Sequence, residues 1–129
     1  MKKHNQLIKI IQDAVDQPYK YGTYDCNIVA LRIVDLFACT NWAEIAKYKT
    51  LKGGLKQLKE LGYTSTQEII KQYADPVQSP IDGDLWLDPD SHNILIIVSG
   101  RELGVNTEHT QFQLNVLSKD GGYFRVRKQ

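Results

Sequence analysis

Asp25-Cys26-Asn27-Ile28-Val29-Ala30-Leu31-Arg32-Ile33-Val34-Asp35-Leu36-Phe37-Ala38 is the stretch on which the fold turns. Asp25 is a good N-cap, so the spacing predicts a helix beginning at Cys26. Ile28, Val29, Leu31, Ile33, Val34, Leu36, Phe37 and Ala38 make its apolar surface too wide for a helix lying on the outside of a domain. It therefore reads as the central, buried helix, ended by Thr40 and Asn41.

Upstream, Leu7, Ile8, Ile10, Ile11, Ala14 and Val15 recur at helical spacing from Gln6 to Val15 and stop before Pro18. Downstream, Trp42 to Lys47 reads as a further helical turn, and Tyr48 to Gly54 as irregular chain. Leu55, Leu58 and Leu61 share a helical face closed by Gly62. Ser65 and Glu68 fit a capping box that opens a helix carrying Ile69, Ile70 and Tyr73. Pro76 and Pro80 break the chain, and its character then changes. Leu85–Leu87, Ile94–Val98, about Leu103–Val105, Phe112–Leu117 and Tyr123–Val126 read as strands, with Ile94–Val98 the most buried. Helices first and strands second give an α+β domain over residues 1–129. Its helical part runs over about 3–75 and its antiparallel sheet over about 81–127.

The 129 residues suit one domain with one core. Sixteen basic and fifteen acidic residues, mixed along the chain, give no field that would draw nucleic acid. No run is long and apolar enough to enter a bilayer, and the start of the chain, amphipathic and interrupted by Asp13 and Asp16, is wrong for a signal peptide. Cys26 and Cys39, about 20 Å apart along one helix, cannot pair with each other. Together with His4, His92 and His109 they match no zinc spacing, so no metal, no cofactor and a reducing or thiol-tolerant setting are expected.

A thiol at the first turn of a helix faces unpaired N–H groups and the positive end of the dipole, which suits a nucleophile. It would need an imidazole to take its proton and a polar group to orient that ring. His92, just before the buried strand, is the first candidate, His109 in a turn the second, and His4 the third. Each residue also has a plainer reading. Cys26 can be a small buried hydrophobe, His92 an exposed turn residue, Asp25 a cap and Asp84 a turn residue. Tyr19, Tyr21 and Tyr24 can be a plug over the helix, Cys39 simple packing, and Lys52, Lys56 and Lys59 a solvated face.

Pro18-Tyr19-Lys20-Tyr21-Gly22 followed by Tyr24-Asp25-Cys26-Asn27 resembles the P-Y-x-W/Y-G and D-C-S segments of NlpC-type cell-wall peptidases. Pro80-Ile81-Asp82-Gly83-Asp84-Leu85 is similar to that family's P-G-D-L-V, and His92 to Gly100 to its H-V-G-I-Y-x-G strand. The resemblance implies a papain-like fold and cleavage of peptidoglycan stem peptides. Cys26 would be the nucleophile, His92 the base and Asn106 the orienting residue, with Tyr19 and Asp25 beside the substrate. Asn27-Ile28 replaces the family's Ser-Gly, and register counted from Gly100 puts Ile94 in the histidine position, two residues and roughly 7 Å from His92. Asp25-Cys26, Gly53-Gly54 to Gly62, Gly83-Asp84 and Phe124-Arg125-Val126 also look like a branch of this family encoded among phage tail genes, whose members often lack an evident histidine. That implies a location in the phage tail or the host cytoplasm. The expected partners are a stem peptide or other tail proteins, and the expected role is either hydrolase or inactive structural component. A toxin-type thiol hydrolase is a weaker expectation.

Overall fold

A computed structural model describes residues 2–129; Met1, the first residue of the expected domain, lies outside them. The order is α1 (Lys2–Asp16), α2 (Cys26–Ala38), α3 (Trp42–Ile45), α4 (Leu51–Glu60) and α5 (Thr66–Tyr73). Then come β1 (Ala74–Val77), β2 (Leu85–Leu87), β3 (Ile94–Val98), β4 (Arg101–Val105), β5 (Phe112–Val116) and β6 (Tyr123–Val126). The six strands form one antiparallel sheet in the order β1-β6-β2-β3-β4-β5, so the α+β reading holds.

One face of the sheet carries the core. Leu85 and Leu87 of β2, Ile94, Ile96 and Val98 of β3, Leu103 of β4, Phe112 of β5 and Val126 of β6 meet α1, α2 and α5 there. Alternation along β3 puts Ile94, Ile96 and Val98 on this helix side, as a period of two requires. α2 lies at the centre. Nine of its thirteen residues are buried, as its all-round apolar surface predicts. Leu7, Ile11 and Ala14 of α1 and Ile69 and Ile70 of α5 close the flanks.

Three local expectations are revised. Chain that Pro76 and Pro80 were expected to break contains β1, with Pro76 inside it. An edge strand tolerates proline because its outward side needs no N–H donor, and β1 is such an edge. α4 starts at Leu51 and runs through Gly53 and Gly54, because the Thr50 hydroxyl accepts from Gly53 N–H at 3.0 Å and caps a helix where irregular chain was expected. Cys39 is exposed and not packed, since it is the left-handed residue that ends α2, at φ 58°.

The sheet's two edges differ. β1 is closed by Pro76 and by the Asp75–Arg127 ion pair at 2.7 Å. β5 carries no charge along Phe112–Val116 and leaves Leu114 and Val116 exposed.

Candidate functional site

Cys26 opens α2 and is 7% exposed. Asp25, fully buried before it, is the cap. Its Oδ1 accepts from Ile28 N–H at 2.8 Å, while Oδ2 accepts from Gly22 N–H at 2.8 Å and from the Tyr48 hydroxyl at 2.6 Å. The carboxylate therefore fastens three pieces of chain: the 19–24 turn, the helix and the segment leading to α4. Gly22 is needed there because its φ of +86° is left-handed and a Cβ would collide with the Tyr48 carbonyl.

The thiol faces the Tyr19 hydroxyl and the backbone N–H of Ile94, both of which favour its ionised form. Burial outweighs them, and the adjacent Asp25 charge acts in the same sense as burial, so the thiol is pushed up to about 11. The helix N-terminus does not activate it as the sequence suggested, because Asp25 already occupies that end and water is excluded. Burial also raises Tyr19, with the neighbouring Cys26 and Asp25 adding to the effect.

None of the groups acting on the thiol among the described residues is a histidine. Ile94, the first residue of β3, is the sheet residue beside Cys26. His92 is not brought there, because the chain bends at Ser91 and His92 before β3 starts. That bend is fixed. Asp88 accepts from Asp90 N–H at 2.9 Å and from the Ser91 hydroxyl at 2.7 Å. Buried Gln67 directs its amide nitrogen at the carbonyls of Asp88, Ser91 and Asn93, at 3.0, 3.0 and 3.2 Å. His92 is left exposed on the rim of a cleft under α4 that also includes Asn27.

Asn106 does not orient His92. Its Oδ1 accepts from Thr110 N–H at 2.8 Å and its Nδ2 donates to the Thr110 hydroxyl at 2.8 Å, which folds the turn between β4 and β5. The same turn carries His109, whose ring lies 5.9 Å from that of Tyr19. Tyr19 is held between Tyr21 and Phe112, at 5.5 and 5.4 Å, and its N–H donates to the Thr110 carbonyl at 2.8 Å. The structure thus groups Cys26, Asp25 and Tyr19, with the Asn106–His109 turn behind the tyrosine.

Asp84 is buried and bound bidentately by Arg125, Nε to Oδ1 at 3.0 Å and Nη2 to Oδ2 at 2.9 Å. Oδ2 also accepts from Ile81 N–H at 2.8 Å, so the carboxylate is a structural clamp between the β2 entry and β6. Sequence reasoning missed this pairing, the Tyr48–Asp25 bond and the role of Gln67. The partners lie 41, 23 and 21 or more residues apart with no local signal. Among the described residues no group of histidine, cysteine or acidic side chains could hold a metal ion, and no helix is long and apolar enough to cross a membrane.

The fold is that of an α+β domain with a buried thiol at a capped helix start. The chain matches the family described as a domain of unknown function, DUF6950, over residues 1–126, and belongs to it. No curated protein and no solved structure matches it.

Proposed function

We propose that this chain is a divergent NlpC-like, papain-type domain that has kept the fold without the hydrolase chemistry, and that it serves as a non-catalytic component of a phage tail. One observation carries the proposal: the group facing the Cys26 thiol from the sheet is the backbone N–H of Ile94, where the resembling peptidases have an imidazole. A thiol pushed up to about 11 is protonated at neutral pH and lacks the thiolate that attacks an amide. The other motif residues serve structural ends, Asp25 as cap and Asp84 as partner of Arg125. The tail assignment rests on the motif order.

The test is alkylation of Cys26 in a Cys39→Ser background, alongside incubation with peptidoglycan stem peptides. The expected result is negligible labelling at neutral pH, labelling that rises only toward pH 11, and intact peptides. Cleavage abolished by Cys26→Ala would overturn the proposal. A hydrolase reading has one observation in its favour, the His109 ring behind Tyr19; it requires that cleavage also be lost in His109→Ala.

A further inference from the structure

α4 lies over the domain without being packed into it: it buries none of its ten described residues. Its Leu51, Leu55 and Leu58 fall at i, i+4 and i+7 and overlook a cleft floored by Leu31 of α2, Trp42 of α3 and Ile69 of α5. The gap holds about 40 Å³, room for a few waters against a lining that is mostly apolar, with Asn27, Thr66 and His92 among its polar members. Of the seven large hydrophobic residues exposed on the described chain, four stand together here: Ile45, Leu51, Leu55 and Leu61, each at least 36% exposed.

The charge around this cleft is net basic. Lys47, Lys49, Lys52, Lys56 and Lys59 are all exposed, against the exposed Glu44 and Glu60 at the two ends of the run. Against a chain total of +1, this leaves the remainder net acidic. Lys52, Lys56 and Lys59 each follow a leucine of the stripe by one residue, so the basic row runs beside the apolar row, about 100° around the helix. A single anionic head group needs cations that converge on one point. These are spread along a helix about 15 Å long, the spacing of carboxylates repeated on a second helix.

We infer that α4 and the cleft beneath it are a docking site for an acidic amphipathic helical segment of a partner protein. Its apolar side chains enter between Leu55 and Trp42, and its carboxylates lie along Lys52, Lys56 and Lys59. This is the helix-in-groove mode, with apolar anchors for affinity and a charged rim for orientation and partner choice. Gln57 accepts from Lys47 N–H and donates to the Ile45 carbonyl, both at 2.8 Å, and so ties α4 to the end of α3 along one side of the cleft. The inference stands on this surface alone, whatever the chemistry of Cys26.

The full chain carrying Trp86→Phe leaves Trp42, on the cleft floor, as the single fluorescent indole. The probe is a synthetic helix-forming peptide with leucine at i, i+4 and i+7 and glutamate between. Saturable binding is expected, weakened about tenfold by high salt and again by the combined Lys52→Glu, Lys56→Glu and Lys59→Glu variant. Those three side chains are exposed, so the fold survives the change, and circular dichroism checks it. Charge reversal at Lys9 and Lys128, outside the cleft, leaves affinity unchanged. Absence of binding, or equal binding of a peptide with lysine in place of glutamate, overturns the inference. Binding of decanoate without binding of the peptide overturns it in favour of a small apolar anion. A dimer dissolved by the triple reversal, with no peptide bound, overturns it in favour of a second copy of this chain.

Discussion

α2 and α4 start alike and end up in different situations. Each opens on a side-chain cap, Asp25 or Thr50, and each carries branched or leucine side chains at helical spacing. α2 is apolar around most of its circumference and is enclosed by α1, α5 and the sheet, with Ile33, Val34 and Val29 inaccessible to solvent. α4 is apolar along one stripe, bordered by lysines, and touches the domain through a gap. Capping therefore decides where a helix starts, while the width of its apolar surface decides whether it belongs to the core or is available to something else.

The largest effect expected of this contrast is in the core. Ile33→Ala should cost about 2–5 kcal/mol in denaturant unfolding, the price of a cavity in an enclosed site. Next comes the link between the two regions. Asp25→Ala removes the cap and leaves Gly22 N–H and the Tyr48 hydroxyl without their acceptor, a loss of about 2–3 kcal/mol. Hydrogen exchange should then quicken over residues 48–60 far more than in α2, and equal protection of both helices before the substitution would break the contrast.

An effect that is smaller at mildly alkaline pH, under about 1 kcal/mol at about pH 9, is set by titration. Burial raises Cys26 to about 11, above the thiol's value of about 8.5 in an unfolded chain. The folded form therefore keeps its proton where the unfolded form has lost it, so the stabilisation is complete below about pH 8.5 and declines as pH rises toward 11. Tyr19 and Tyr48, both raised chiefly by burial, extend the decline above about pH 10. Unfolding midpoints measured from pH 7 to 11 should fall, and Cys26→Ala should remove the first part of the fall. The smallest effect is Leu55→Ala, expected to cost under about 1 kcal/mol because the side chain is already 38% exposed. A loss equal to that of Ile33→Ala would place α4 in the core.

What the sequence disclosed follows the range of the forces involved. α2, β3 and the α5 cap were legible because periodicity and capping act within a few residues; Ser65 accepts from Glu68 N–H at 3.2 Å, as its spacing suggested, while the Glu68 carboxylate turns to Thr64. β1 was obscured by Pro76, whose tolerance depends on an edge position that only the assembled sheet defines. The start of α4 was obscured by Gly53-Gly54, although Thr50 carried the signal. At the site, Cys26, Asp25 and Tyr19 were legible together because they are neighbours around one helix start. His92 was not, because its direction is set by Gln67, more than twenty residues away on α5.

β6 lies between β1 and β2, although it follows both in the chain. During synthesis the meander from β2 to β5 can pair as it emerges, but β1 has no neighbouring strand until Val126 is made. A nascent chain halted before Tyr123 would expose the unpaired flanks of both β1 and β2, and Asp84 would be buried without Arg125. The strand made last is therefore the one that joins β1 to the rest of the sheet, and the sheet cannot be completed until the whole domain has left the ribosome.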